Sequence, residues 1–387
     1  MEAIYFDNSA TTKISERALG KLTEVAKSHF GNPSSLHSVG LDAEKEMEKA
    51  RGIIAKSLGV ERYTRGEIIF TSGGTESNNL AILGTVFAKK RRGNEKILTT
   101  EGEHASVAEP LAFLEKQGFN IVRVPTKNGE LDLDFIKENA GGAILATFMH
   151  VNNETGALYD LKKAFEWVKR ISPEAICHSD CVQSYLKVKF TKKSLGADLI
   201  SVSAHKVNGP KGAGALYVAP EIIKAKKLSP LFLGGGQEEN LRSGTENVYS
   251  ICAFGEAVAE HMEKLPSEME YLSELKNYII SGIEKVDGVR VNKPKSSAPH
   301  IISITAFGIR SETLLHFLSS KGIYVSSGSA CSSNSGSKHS TALSGFGLDS
   351  DSIDSTVRVS LCRDNTKDEA NSLFDALREA TGKLVKK

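Results

Sequence analysis

The chain has 387 residues, 40% of them hydrophobic and 25% charged, with a formal net charge of +2; this is the balance of an ordinary soluble globular protein and leaves no positive excess for direct nucleic-acid binding. The N-terminus carries Glu2 and Asp7 without a long apolar segment, and no run of about 18 apolar residues occurs, so neither a leader nor a membrane span is expected and the protein reads as cytoplasmic. Five cysteines at positions 177, 181, 252, 331 and 362 form an odd, scattered set that does not read as a disulfide framework.

A chain of this length exceeds what one compact core usually supports, so two domains are expected. "ISERALGKLTEVAKSHF" and "LDAEKEMEKARGIIAKSLG" space their apolar residues by three and four, which predicts helices. Short β-like runs follow: "EIIF" (67–70), "KILTT" (96–100), "NIVRVP" (120–125), "AILATFM" (143–149), "AICHSD" (175–180) and "LISVS" (199–203). Helical stretches such as "ESNNLAILGTVFAKKRR" and "LKKAFEWVKRIS" separate several of them, the order of an α/β domain with a mostly parallel sheet. "GALYV" (214–218) follows its predecessor across a short glycine-rich link, which predicts an antiparallel addition. After "NVYSICAFGEAVAEHMEKL" and a further helical stretch through Ile283, the pattern becomes strand, strand, helix, strand, loop, strand, helix. This predicts a large domain over 15–260 and a smaller α+β domain built from 1–14 and 261–387.

In an open parallel sheet, ligands sit beyond the carboxyl ends of the strands. There "EIIF" runs into "TSGGTESNN", whose Gly74 permits a tight turn and whose Thr75 can begin a helix with free N–H groups toward an anion. "AICHSD" delivers Asp180, with Gln183 close behind; "LISVS" delivers Ser203, His205 and Lys206; "AILATFM" leads to Asn152 and Asn153, and "KILTT" to His104. Taken singly, each has a plainer reading as a cap, a turn or a solvated side chain. Together they would place a carboxylate, an imidazole, amides and a lysine on one rim. A lysine amine beside a phosphate cradle, facing a carboxylate able to hold a pyridinium N–H, meets the demands of pyridoxal phosphate.

The segments "FDNSATT", "SGGTESNN", "EH", "VNNETG", "HSDCVQ", "SAHKVNGPKGAGALYV", "GGGQEENLRSGTEN", "SSGSACSS" and "RVSL" occur in the order and spacing of cysteine desulfurases. The chain resembles that family, which belongs to the fold-type I pyridoxal-phosphate enzymes related to class V aminotransferases, from Tyr5 to about Leu361. The resemblance implies a seven-stranded-type α/β fold with a smaller α+β domain. It also implies Lys206 as the Schiff-base lysine, Asp180 on the pyridine nitrogen, Gln183 near the ring hydroxyl and His104 stacked on the ring. Gly74, Thr75, Ser203 and His205 would hold the phosphate, with Thr245 of "RSGTEN" reaching it across a homodimer interface. Asn153 and Arg358 resemble the residues that hold the substrate amino acid, Arg358 through its carboxylate, and Asn153 is expected among the cofactor-binding residues as well. Cys331 resembles the sulfur-accepting nucleophile. L-cysteine would displace Lys206, a base, for which the freed Lys206 stands first, would take the α-proton, and the Cys331 thiolate would attack the substrate sulfur. A persulfide and alanine would result, and the sulfur would pass to an acceptor such as an iron–sulfur scaffold protein or a tRNA-thiolating enzyme.

Physical reasoning on the cysteine segment agrees with that role. A sulfur carrier must meet both pocket and acceptor, and serine and glycine suit a tether that has to move. The span expected to carry it, about 327–350, is longer than structureless connections usually run. Lys338 and His339, or His104 in the pocket, are the groups at hand to raise the thiolate fraction. Of the other thiols, Cys252 lies in a helical apolar pattern and reads as core. Cys177 and Cys181 bracket His178, but the segment reads as a strand into Asp180 and no metal site is expected. Cys181 and Cys362 stand where the family has a small residue and a glycine, and Cys181 is expected to be a passive substitution close to the ring. The competing readings are a class V aminotransferase or selenocysteine lyase on the same scaffold, and a catalytically retired sulfur-transfer scaffold. The long serine-rich cysteine loop argues against a transaminase, and the intact set of reactive residues argues against retirement.

Overall fold

The computed structural model describes residues 3–89, 95–327 and 340–385. In chain order its strands are β1 (Ile4–Tyr5), β2 (Ile68–Thr71), β3 (Lys96–Thr100), β4 (Asn120–Val124), β5 (Thr126–Lys127), β6 (Glu130–Leu131), β7 (Ala143–Met149), β8 (Ile176–Asp180), β9 (Leu199–Ser203), β10 (Gly214–Val218), β11 (Val289–Asn292), β12 (Ile301–Ala306), β13 (Ile323–Tyr324), β14 (Ser326–Ser327) and β15 (Thr356–Ser360). The large sheet has seven strands in the order β2-β10-β9-β8-β7-β3-β4. All its neighbours run parallel except β10, which is antiparallel to both β2 and β9, as expected from its short glycine-rich link. Residues of β2, β8, β9 and β10 are buried throughout, because helices cover both faces and no face is left to alternate toward water.

A second sheet has four antiparallel strands in the order β11-β12-β15-β14. The N-terminus joins this layer: β1 pairs in parallel with β13, and the Ser360 N–H donates to the Phe6 carbonyl at 2.7 Å. Buried apolar side chains accordingly form two main clusters, one running from Met47 to Val258 and one combining Phe6 with Leu272 to Ala380. The helix Val248–Ile283 serves both over its 36 residues, giving Ile251, Phe254 and Val258 to the first cluster and Leu272, Leu275, Ile279 and Ile283 to the second.

Two departures from the sequence reading concern helices. The helical stretches on either side of Pro266 are one continuous helix. Pro266 is exposed where the helix crosses from one cluster to the other, so water can reach the carbonyl that loses its partner. The span expected as one long loop before β15 contains two short helices, Thr341–Phe346 and Ser350–Asp354. The first buries Ala342, Leu343 and Phe346 and starts on a Ser340 cap. No helix among the described residues is long and apolar enough to cross a membrane.

Candidate active site

A cavity of about 330 Å³ opens at the carboxyl ends of the large sheet's strands. Gly74 and Thr75 line it from beyond β2, His104 and Ser106 from beyond β3, Met149 and Asn153 from β7 and its exit, Asp180 and Gln183 from β8, and Ser203, His205 and Lys206 from β9. The small sheet closes it with Ser326 of β14 and Arg358 of β15. Arg358 sits opposite Ser303 on one side and Ser326 on the other, two short side chains that leave room for its guanidinium. Strand ends scattered through more than 250 positions of sequence, from Gly74 to Arg358, thus share one wall.

The end of the cavity near β2 is built for an anion. The helix Gly74–Phe87 begins on Gly73 without a side-chain cap, so its first N–H groups remain free to bind a ligand and carry the positive end of the helix dipole. The helix starts at Gly74, which puts Thr75 inside its first turn. A Cβ on Gly74 would stand 2.7 Å from Val182 Cγ2, so only glycine lets this turn approach the strand ends. His205, whose Nδ1 lies 3.1 Å from Thr11 Oγ1, is pushed down to about 4 by burial and by the ammonium groups of Lys206, Lys211 and Lys187.

Lys206 lines the cavity and donates to the carbonyls of Ser9 and, at 2.7 Å, of Ala10. Burial first, then the charges of Arg358 and Lys187, bring its amine down to about 7. It is therefore substantially a free amine near neutrality, the state a nucleophile or base requires. The Asp180 carboxylate accepts from the Asn78 amide at 2.7 Å and from the Val182 N–H at 2.9 Å. Gln183 Nε2 donates to the Ser9 carbonyl at 2.9 Å. Arg358 donates to the Asn153 carbonyl and to Asp7 Oδ1, both at 2.8 Å. Buried polar atoms of Ser9, Gln183, Ser203 and Arg358 have no partner among the described residues, and all of these residues line the cavity. Buried polar groups are rarely left unpaired, and a clustered set marks the position of a polar ligand.

The N-terminal segment is the part of this site whose work sequence reasoning missed. Asp7 holds Arg358, the Ser9 and Ala10 carbonyls hold Lys206, and Thr11 and Thr12 hold His205. The motif "FDNSATT" contains them all, but their partners lie 193 to 351 positions away. Among the described residues, two predicted ones are not in the cavity wall: Thr245 is exposed and outside it, and Asn152 is buried with its amide bonded to Gly102, Glu154 and Thr155. Cys331, Lys338 and His339 lie outside the described residues. Cys181, expected close to a bound ring, is fully buried with its thiol toward Ser179 Oγ at 3.3 Å and does not line the cavity. Burial pushes that thiol up to about 12, which makes it inert at neutral pH. His178 is also fully buried, its ring nitrogens 2.7 Å from Thr147 Oγ1 and 3.0 Å from Ser201 Oγ.

The model of the class-V aminotransferase family matches residues 4–373 of the chain. A cysteine desulfurase IscS of Dictyoglomus turgidum is 38% identical over 98% of this chain and 95% of its own length. Among solved structures, one described as a NifS-like protein superposes with a TM-score of 0.90 at 33% identity, covering 98% of this chain and 99% of its own. Another, described as SspA in complex with cysteine, superposes with a TM-score of 0.77 at 28% identity over 94% of this chain and all of its own.

Proposed function

Since the chain belongs to the class-V aminotransferase family, among its cysteine desulfurases, we propose that it converts L-cysteine to L-alanine and carries the sulfur as a persulfide on Cys331. The observation that carries this reading is the convergence of a buried lysine, a carboxylate, an uncapped helix start and unpartnered polar atoms on one cavity. These residues fit pyridoxal phosphate. Ser203 Oγ, buried and unpartnered beside the uncapped helix end, suits the phosphate. Gly74, Thr75 and His205 would share that phosphate with Ser203, Asp180 would hold the ring nitrogen, Gln183 the ring hydroxyl, Lys206 the aldehyde carbon, and His104 would cover the ring. When bound, the group supplies an electron sink for the pair left when the substrate's Cα–H bond breaks.

The chain's own side chains would then divide the work. Arg358, with an unpartnered Nε, and Asn153 orient the amino acid through its carboxylate. Lys206 is poised near neutrality to accept the proton from Cα. The Cys331 thiolate attacks the substrate sulfur; the S–S bond forms as the Cβ–S bond breaks, Cβ takes up a proton, and Lys206 returns a proton to Cα before alanine leaves. Ser327 is the last described residue before Cys331, and the four links between them span at most about 14 Å. Ser326, at the base of that tether, lines the cavity.

A homodimer is part of the proposal. Thr245 is exposed outside its own cavity, and the segments flanking it and the first helices present Phe30, Leu36, Phe232 and Leu233 at 72, 92, 52 and 85% exposure. Those segments lie together, since Pro33 and Ser34 share a cleft with Gly236 and Gln237. Covering such side chains with a second copy would bring Thr245 to the partner's phosphate. We further propose that the two apolar clusters are separate domains divided near residue 261, and that the acceptor is a protein of iron–sulfur assembly or tRNA thiolation.

The test uses the cofactor-loaded protein with L-cysteine. Alanine forms and, with a reductant, sulfide is released. Cys331→Ala keeps the cofactor absorbance but loses sulfide release at least about a hundredfold, and Lys206→Ala loses the borohydride-reducible attachment together with about a thousandfold or more of the rate. Undiminished sulfide release from Cys331→Ala would remove that residue from the reaction.

A further inference from the structure

His104 is the N-cap of the helix Ala105–Lys116, and its Nδ1 accepts the Ser106 backbone N–H at 3.2 Å. A backbone N–H can only donate, so Nδ1 presents a lone pair and the neutral ring carries its proton on Nε2. Ser106 Oγ lies 2.8 Å from the same Nδ1, and must turn its O–H toward that lone pair. As an acceptor it receives the Asn78 amide at 2.8 Å, while the same amide donates to Asp180 Oδ2 at 2.7 Å. An ionised carboxylate accepts and never donates, so the direction of every bond from Asp180 through Asn78 and Ser106 to His104 is determined. Nε2 makes no hydrogen bond among the described residues, and His104 lines the cavity.

We propose that Asn78 and Ser106 are positioning residues that hold His104 as its Nε2–H tautomer, so that it faces the cavity as a neutral hydrogen-bond donor and leaves the uptake of substrate protons to the Lys206 amine. This rests on the desulfurase reading for its consequence, but not for the tautomer. The charged groups facing the ring are Asp180, which favours its protonation, and Lys206 and Arg358, which oppose it. Burial, joined by Lys206 and Arg358, outweighs Asp180 and holds the imidazole below the ordinary histidine value, which favours the neutral ring.

The experiment is nitrogen NMR of histidine-labelled protein, with and without pyridoxal phosphate, the His104 signal being assigned through His104→Gln. Between pH 6.5 and 8 the expected spectrum has an unprotonated Nδ1 and a protonated Nε2 in both forms. Ser106→Ala moves the Nδ1 resonance and lowers kcat for alanine formation about tenfold with KM within twofold, whereas Ser106→Thr, which keeps the hydroxyl, restores both. A protonated Nδ1 in the loaded enzyme, or a Ser106→Ala variant with unchanged resonance and kcat, would overturn the proposal. Should the protein form no alanine from L-cysteine, the reading under the preceding heading fails while the spectrum still decides the tautomer.

Discussion

Lys206 shows how much of a site's chemistry is set by neighbours that never touch the reacting atom. Its amine is depressed chiefly by burial, and next by Arg358 and Lys187, against the opposing pull of Asp7 and Asp180. Removing the Arg358 charge should therefore raise it. In cofactor-free protein, the rate at which Lys206 captures an added aldehyde is expected to rise with pH through an inflection near 7, and Arg358→Gln should move that inflection upward. Reductive trapping followed by peptide mass analysis reads both profiles, and an inflection that stays in place would remove Arg358 as a cause. The residues of this cluster were legible in unequal degree. Asp180, Lys206, Ser203 and Gln183 end strands or follow them closely, so the pattern of short apolar runs located them. Asp7, Asn78 and Ser106 were missed because nothing local marks them: their function lies in bonds to Arg358, Asp180 and His104 that exist only once the chain is folded.

At the scale of elements, the segment that leads to Thr245 is held in a costly backbone conformation. Glu238, Glu239 and Asn240 have φ of 49°, 57° and 64°, three consecutive non-glycine residues in the left-handed region, each disfavoured by roughly 1–2 kcal/mol. The turn persists because Glu238 is clamped: Arg51 donates to its two oxygens at 2.8 and 2.7 Å, and the Phe70 N–H donates to it at 2.7 Å. A few residues on, Arg242 pairs at 2.9 Å with Glu76 in the first turn of the anion-binding helix, so the clamp and the cavity share one strap. Arg51→Met strands a buried carboxylate and should cost about 3–5 kcal/mol, with Glu238→Gln added to it recovering part of the loss. Glu239→Gly relieves the conformation and should be neutral or stabilising by up to about 1 kcal/mol. Urea midpoints of the four proteins decide it, and a destabilised Glu239→Gly would mean that the side chain, not the clamp, maintains the turn. This turn was invisible in the sequence, since glutamates give no signal for positive φ, whereas β3, β7, β9 and β10 match the predicted runs to the residue because alternating turns and apolar runs define them locally.

Across the whole molecule, the cavity lies at the seam between two apolar clusters, and the seam is lined with buried amines. Lys276, on the long shared helix, is lowered to about 8 by burial and donates to Ser297 Oγ and the Ala298 carbonyl. Lys187 is lowered to about 8 as well, by burial, with Arg358 adding to the effect and Cys362 opposing it, yet its Nζ has no partner among the described residues. An unfolded lysine binds its proton up to about pH 10.4. Between pH 8 and that value the unfolded chain thus holds a proton at Lys187 that the folded chain has released, and this residue's contribution to stability rises with pH. Below pH 8 the folded protein carries the charged form in a buried site, a penalty on the order of 3 kcal/mol relative to strongly alkaline solution. Lys187→Met keeps the volume and removes the charge, so the variant should be the more stable protein at pH 7 and lose that advantage steadily toward pH 10. Comparing the two cofactor-free proteins by urea unfolding at each pH cancels the buried carboxyl and thiol groups they share, such as Glu103 and Cys252, whose raised values act in the opposite direction. A stability gap that is independent of pH, or that widens as pH rises, would show that Lys187 is not an uncompensated cation at the seam.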